Sequence, residues 1–207
     1  MPLFSIIIPT YNRAHLLGKA IESVINQTCI DWELIIVDDG SEDKTFEIIN
    51  PLLQKDKRIR YFKHQNRQQA LSKNVGIQSS FGKYITFIDS DDIYLDHHIS
   101  SRLKYMNNNK EVDLIEGGFE VKGDIWVKDY YQIGKKISIY DCVVGGTFFG
   151  KRNVFFELKG FQNLEYGEDT NFWERAEKKF KLNKLTQPQT YIYIRTENSV
   201  TANAIKK

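Results

Sequence analysis

"KYITFIDSDDIYLD", residues 83–96, sets an apolar run directly against a run of acids. Tyr84, Ile85, Thr86, Phe87 and Ile88 read as a buried strand, and Asp89, Asp91 and Asp92 follow within four positions. Like charges crowded beside a core repel and raise one another's pKa. Asp and Ser start turns and cap helices, and acids favour a helix N-terminus. That accounts for one or two acids ahead of a helix expected to begin near Leu95, and accounts poorly for three. A hard divalent cation, Mg²⁺ or Mn²⁺, relieves the crowding, and an Asp-x-Asp spacing puts two carboxylates on the same side of an extended segment. Such a cation keeps positions open that substrate phosphates fill. An EF-hand is disfavoured, because its glycine is missing here and a strand precedes the acids instead of a helix.

Outward from this stretch the first half alternates strand and helix. "FSIII" at 4–8 is a β-branched run closed by Pro9, and Leu17, Ala20, Ile21, Val24 and Ile25 then recur at helical spacing, predicting a helix over 14–27. "WELIIVDD" at 32–39 is a second strand, followed by a helix carrying Phe46, Ile49 and Leu53. "RIRYFKH" is a third strand, "QQALSKNVGIQSS" a helix ending before Gly82, and Ile99, Leu103 and Met106 mark a helix after the acidic stretch. Continuous apolar strands between amphipathic helices imply an α/β domain with a mainly parallel sheet covered on both faces. After about Asn107 the rhythm loosens: "VDLIEGGFEV" and "DIWVKDYY" read as strands, "VVGGTFFGKR" as a glycine-rich stretch lining a site, "NFWERAEKKFK" as a helix with Phe172, Trp173, Ala176 and Phe180 on one side, and "QTYIYIR" as a closing strand. One domain over 1–207 is the simplest account, with halves at 1–107 and 108–207.

In open α/β sheets, ligands sit beyond the C-terminal ends of the strands. Here strand one ends in "PTYNR", strand two in "DDGS" and strand four in "DSDD", so the sheet gathers three polar strand ends. In the plainest reading Pro9 ends its strand, Asn12 caps the first helix, Asp38 or Asp39 turns the chain, and Ser41 caps the second helix. In a functional reading an aspartate accepts a nucleobase N–H while the ring of Tyr11 offers a stacking surface. No G-x-G-x-x-G follows strand one, and no glycine-rich loop with Lys and Ser or Thr is present, which excludes dinucleotide-fingerprint and P-loop chemistry.

The chain has 207 residues, 41% hydrophobic and 13% aromatic, enough for a sizeable core. A net charge of +2 gives no argument for nucleic acid. Cys29 and Cys142 make neither a metal pair nor a disulfide framework, which suits a reducing cytoplasm. No stretch approaches the roughly 20 apolar residues of a membrane span, so membrane contact would be peripheral. The start "MPLFSIIIPTYNR" lacks the basic lead of a signal peptide.

The ordered set "SIIIPTYNR", "WELIIVDDGSEDKT", "NVGIQSSFGKYITFIDSDD", "GKRNVFFELKGFQN" and "YGEDTNFWERA" resembles family 2 glycosyltransferases of the GT-A fold over most of the chain. The resemblance implies an inverting, metal-dependent transfer from a nucleotide sugar, usually UDP-linked, to a saccharide or lipid-linked saccharide, as in surface-glycan biosynthesis. It implies that the first half binds nucleotide and the second binds sugar and acceptor. Pro9, Thr10, Tyr11, Arg13, Asp39, Lys73, Asp89 and Ser90 would serve the nucleotide. Asp91 and Asp89 would hold Mn²⁺ or Mg²⁺, supported by Asp92. Asp169 in "GED" would be the general base, with Glu168 as the alternative. Gly145, Gly146, Thr147 and Trp173 would sit near sugar and acceptor, and Arg195 near the diphosphate. An acidic helix N-terminus is the structural alternative for "GED".

Some positions depart from the family pattern. "SKN" stands where the family often has "ARN", so Lys73 offers a positive charge to a phosphate or a carboxylate, without the planar fork of Arg. Gln68 replaces a frequent glycine, and "RTENSVT" has Arg195 and Ser199 without the usual intervening His, which bears on any lid over the diphosphate. His97 and His98 read as a solvated helix start. Competing readings are a catalytically silent nucleotide-sugar-binding subunit and a phosphoribosyltransferase. The latter would want a Thr-Gly pair where Thr45 is followed by Phe46.

Overall fold

Phe4, Ile6 and Ile8 belong to one buried cluster and Ile7 to another, so the first strand alternates its side chains between two cores. The computed structural model describes residues 1–132, 134–164 and 166–195; Ser199 lies outside them. The chain runs β1 (Phe4–Thr10), α1 (Ala14–Ile25), β2 (Trp32–Asp38), α2 (Thr45–Lys55), β3 (Ile59–Lys63), α3 (Gln69–Ser79) and β4 (Tyr84–Phe87). It continues through β5 (Ile93–Tyr94), α4 (His98–Asn108), β6 (Leu114–Gly117), β7 (Phe119–Lys122), the hairpin of β8 (Trp126–Lys128) and β9 (Lys136–Ser138), β10 (Phe149–Lys151), α5 (Arg152–Glu157), α6 (Glu168–Glu177), β11 (Leu182–Leu185) and β12 (Tyr191–Ile194).

The central sheet has seven strands in the order β11-β6-β10-β4-β1-β2-β3. All its neighbours pair parallel except β10, which runs antiparallel to both β4 and β6. This is the mainly parallel, mixed sheet expected of the sequence. One face carries Leu17, Ala20, Ile21 and Val24 of α1, Ile49 of α2, and Ile99 and Met106 of α4. The other carries Ala70 and Ile77 of α3, Val154 and Phe155 of α5, and Phe172 and Trp173 of α6. A sheet so covered reads as unbroken apolar runs, which is why β1 and β2 are buried at all seven positions.

The order reverses between β1 and β4: β2 and β3 lie on one side of β1, and β4 on the other. That switch point opens a crevice at the C-terminal ends of β1 and β4. The parallel register sets Thr10 beside Asp38 and Ile7 beside Phe87, so the three polar strand ends meet at this edge.

Several local expectations are corrected. The acids of 89–92 do not lie on an extended segment leading into a helix. β4 stops at Phe87, a turn closes with Asp92 N–H donating to the Asp89 carbonyl at 3.0 Å, and β5 intervenes before α4 starts at His98. Residues 112–121 are two strands, because Gly117 and Gly118 have φ of 97° and 64° and the Arg102 guanidinium donates to both their carbonyls, at 2.7 and 3.1 Å. His98 is fully buried rather than solvated; it stacks on Tyr94 at 3.9 Å and its Nδ1 lies 2.9 Å from the Thr190 hydroxyl. The β8–β9 hairpin was not foreseen from the sequence.

Phe87 tests this arrangement, since it is fully buried with its ring 5.5 Å from both Phe155 and Phe161, directly beneath the acidic turn. Phe87→Ala is expected to cost about 3–5 kcal/mol in urea unfolding; a loss under about 1 kcal/mol would contradict the packing described.

Candidate functional site

The loops after β1 and β2 are stitched to each other. Asn12, with φ of 51°, accepts N–H bonds from Glu42 at 2.9 Å and Asp43 at 3.4 Å through its side-chain oxygen. Its own N–H donates to the Ser41 hydroxyl at 2.9 Å, and Asp43 accepts the Ala14 N–H at 3.0 Å. Asn12 and Ser41 are therefore cross-loop clasps and not the helix caps expected of them. Asp38 is fully buried and accepts from Ser41 N–H at 2.7 Å and the Tyr61 hydroxyl at 2.6 Å. Asp39 faces the crevice, where one of its oxygens accepts the Arg67 N–H at 2.8 Å.

A cavity of about 480 Å³ occupies this edge. Pro9, Thr10, Tyr11, Arg13 and Asp39 line one side of it, Asp89, Ser90, Asp91 and Asp92 another, and Gly146, Glu168 and Asp169 the far wall. The cavity thus brings together twelve of the residues singled out by sequence, drawn from both halves of the chain.

Each acid is held differently. Asp89 accepts a hydrogen bond from the Gln69 amide at 2.9 Å, and its backbone N–H donates to the Tyr191 hydroxyl at 3.2 Å. Asp92 is locked: one oxygen accepts the Tyr191 hydroxyl at 2.6 Å and the other the Ile194 N–H at 2.7 Å. It is a clamp joining the turn to β12, not a helix-start residue. Burial pushes the Asp89 carboxyl up to about 7; Lys73 opposes the rise, and Asp91, Asp169 and Glu168 add to it. Asp91 is raised by burial against the attraction of Arg13, and Asp92 by burial with Asp89 and Asp91 nearby. Burial and mutual repulsion thus disfavour full ionisation of this loop.

α6 starts at Gly167, whose φ of 78° suits glycine, and a Cβ there would strike the Tyr130 ring. Glu168 and Asp169 occupy the first turn, where the macrodipole favours acids. Lys73, fully buried on α3, donates to Asp169 at 2.8 Å and to Glu168 at 3.3 Å. Burial works against its charge, but Asp169, Glu168 and Asp89 outweigh it and raise its pKa. The Gly145 N–H holds the other Asp169 oxygen at 3.0 Å. A Cβ on Gly145 would collide with the Asp169 carboxylate, and one on Gly146 would lie 2.5 Å from the Tyr191 hydroxyl and 3.2 Å from Asp89.

Three sequence assignments change place, those of Lys73, Thr147 and Arg195. Lys73 does not reach the cavity, being buried behind the acids it pairs with. Thr147 is fully buried, accepting the Gly117 N–H at 2.8 Å and donating to the Val144 carbonyl at 2.7 Å, so it supports the turn and does not face a sugar. Trp173 lines a second, neighbouring cavity. The Arg195 guanidinium donates to the carbonyls of Asp124 and Trp126, at 3.2 and 2.6 Å, away from the acids. Sequence reasoning missed Tyr191, Gln69 and Glu116. Glu116 accepts the Val144 N–H at 3.1 Å and fixes the 3₁₀ turn Gly145–Thr147. No local signal marks these three, since "YIYI" reads as strand core and the other two sit inside ordinary apolar or polar runs.

Among the described residues no three His, Cys, Asp or Glu side chains form a group that could hold a metal. Asp91 and Asp89, both on the cavity wall, are the residues that would hold a divalent cation, and two carboxylates would leave most of its oxygen positions to other ligands. Asp92 has both oxygens engaged by Tyr191 and Ile194.

The family model described as "Glycosyl transferase family 2" matches residues 5–196. The chain is 36% identical over 186 residues to an uncharacterized glycosyltransferase of Rickettsia felis, covering 82% of this chain and 29% of that protein. It is 34% identical over 222 residues to the GalNAc(5)-diNAcBac-PP-undecaprenol beta-1,3-glucosyltransferase of Campylobacter jejuni, covering all of this chain and 69% of that one. Among solved structures, S. aureus TarS 1–349 in complex with UDP-GlcNAc superposes with a TM-score of 0.79 at 18% identity, over 98% of this chain and 61% of that one, a likeness of GT-A fold. Among the described residues no helix is long and apolar enough to cross a membrane.

Two substitutions probe the site's supports. Lys73→Met leaves Asp169 and Glu168 facing each other without their cation and is expected to cost about 3 kcal/mol near neutral pH. The cost should shrink toward acid pH as Glu168, which burial already holds above the usual carboxylate range, takes up a proton; a loss independent of pH in urea titrations would contradict the pairing. Glu116 is held up to about 7, against 4.5 ordinarily, chiefly by burial. Between these values the folded state binds a proton that the unfolded chain lacks, so native stability falls as pH rises through that window and the full penalty stands above it. Glu116→Gln should therefore be more stable than the parent at pH 8 in urea unfolding, by on the order of 2 kcal/mol, with no gain at pH 4. An equal gain at both pH values would contradict this.

Proposed function

The chain belongs to glycosyltransferase family 2, and from that membership and the geometry above we propose that it transfers a sugar from a nucleotide-sugar donor to a hydroxyl of a saccharide or lipid-linked saccharide. The observation that carries this reading is the cavity at the switch point, which sets the acidic turn after β4 against the Lys73-anchored pair Glu168–Asp169. A diphosphate and an acceptor hydroxyl need opposite walls of that kind. The donor is UDP-linked in this reading, with Thr10, Tyr11 and Asp39 around the base, Arg13 and Ser90 near ribose and phosphate, and the 1–107 half acting as the nucleotide-binding part. The chain spans only about 30% of the Rickettsia relatives it matches, so the activity of the whole protein is part of the proposal.

Asp169 is the general base. Its two oxygens are oriented by Lys73 and by the Gly145 N–H, and each carboxylate oxygen has a further lone pair for the acceptor proton. The acceptor oxygen bonds to the sugar's C1 as the bond from C1 to the phosphate oxygen breaks, and the nucleoside diphosphate leaves with that electron pair. One base and in-line attack invert the anomeric carbon. Asp91 and Asp89 are the residues that would hold Mg²⁺ or Mn²⁺, which when bound neutralises charge on the departing diphosphate. Tyr191 and Asp92 keep the acidic turn in register with the Gly146 wall. The Campylobacter relative is named for an undecaprenol-linked acceptor. By that likeness the acceptor here is lipid-linked, and the protein meets it peripherally at the cytoplasmic face of a membrane.

Asp169→Asn tests the assignment of the base. Nucleotide release from UDP-sugars, with a saccharide acceptor or water, should fall by about 10²–10⁴-fold, while UDP binding stays within about twofold of the parent. Near-normal turnover in Asp169→Asn would refute the assignment. UDP binding with no release by the parent on any acceptor would return the silent-binder reading.

A further inference from the structure

Beside the main cavity lies a second one of about 280 Å³, and Tyr130, Cys142, Val143 and Thr170 wall both. One of its sides is a single face of α6: Thr170, Trp173, Glu174 and Glu177 line it and recur at steps of three, one and three residues. That face runs about 10 Å along the helix, starting one residue past Asp169. The loop of the β8–β9 hairpin supplies the opposite side with Tyr130 and Tyr131. Tyr130 packs on Gly167 just before the helix, and the Tyr131 hydroxyl donates to Glu174 at 2.6 Å, so the loop is tied to the α6 region at two points.

The lining is aromatic surface with hydrogen-bond acceptors between. Its lysine is already engaged: Lys184 lies 3.8 Å from Glu116, donates to the Cys142 carbonyl at 3.4 Å and sits over the Trp173 ring at 5.8 Å. Glu177 has no hydrogen-bond or ion-pair partner among the described residues. Sites for small ligands combine apolar walls with a few convergent polar groups and typically measure about 300–1,000 Å³. This volume sits at the lower bound, room for one ring and not for a chain. Carboxylates accept hydroxyl protons and repel anions.

We propose that the second cavity is a subsite for the neutral sugar unit next to the one that receives the transferred sugar. The acceptor then enters with its reactive hydroxyl at Asp169 and its adjoining ring along α6, against Tyr130, Tyr131 and the edge of Trp173. Glu174 and Glu177 accept its hydroxyls, and uronic or phosphorylated units are turned away. The proposal rests on the glycosyl-transfer reading.

The test is retention of labelled protein, loaded with UDP and Mn²⁺, on an array of neutral mono- and disaccharides and matched oligosaccharides bearing uronic acid or phosphate. Neutral disaccharides should be held about tenfold better than the matched monosaccharides or anionic chains. Glu177→Gln and Tyr131→Ala, two exposed positions, should each lower that retention about fivefold and leave the UDP-induced rise in Tm unchanged. Equal retention of mono- and disaccharides, no retention of any neutral saccharide, preference for anionic chains, or variants that bind like the parent would each overturn the subsite. Disaccharide retention as expected, with no Tm response to UDP in the parent, would sink the donor reading and leave the subsite standing.

Discussion

Lys73 places a full positive charge inside the protein, and the site is arranged around it. A buried ammonium is costly unless it is paired. Here it bridges the first turn of α6 through Asp169 and Glu168, and its field reaches Asp89 at the end of β4. α3 and α6 lie on the same face of the sheet, packed on the second core, so the pair also fixes where α6 begins. Five acids from two distant segments, Asp89, Asp91, Asp92, Glu168 and Asp169, thereby share one edge, with the buried Lys73 behind them. The turn after β4 is left acidic on the cavity side, where burial and mutual repulsion hold its carboxyls above the ordinary range.

The sheet makes this geometry available at little cost. Its order reverses between β1 and β4, so the polar residues that end three strands need no special loops to meet. β10 runs antiparallel beside β4 and carries, just before it, the turn Gly145–Thr147 whose N–H holds Asp169. Tyr191 then closes the arrangement from the smaller sheet, through one hydroxyl shared between Asp92 and the Asp89 N–H. The candidate base and the acidic turn are thus positioned by rigid elements on both sides.

What the sequence made legible follows from the physics of each segment. Strands buried on both faces announce themselves as apolar runs, so β1, β2 and β4 and the acids at their ends could be read directly, as could the acid pair starting α6. The role of Lys73 was legible only in part: "SKN" offers a charge to a phosphate or a carboxylate, and only the packing of α3 against α6 shows that it faces inward to Asp169 and Glu168. Asp92 looked like a helix-start acid because β5, two residues long, has no periodicity to detect. Thr147, Tyr191 and Glu116 act through long-range hydrogen bonds that no local pattern encodes. Gly117 and Gly118 were visible as a pair, but their splitting of a strand depends on Arg102, fifteen and sixteen residues away.

The central claim is that this acid-lined crevice holds a nucleoside diphosphate through a shared divalent cation. Calorimetric titration of the protein with UDP, with Mn²⁺ and after removal of divalent ions, tests it most directly. The account predicts saturable one-to-one binding with Mn²⁺ that weakens about tenfold or more without it. Equal affinity in both conditions, or no binding in either, would contradict it.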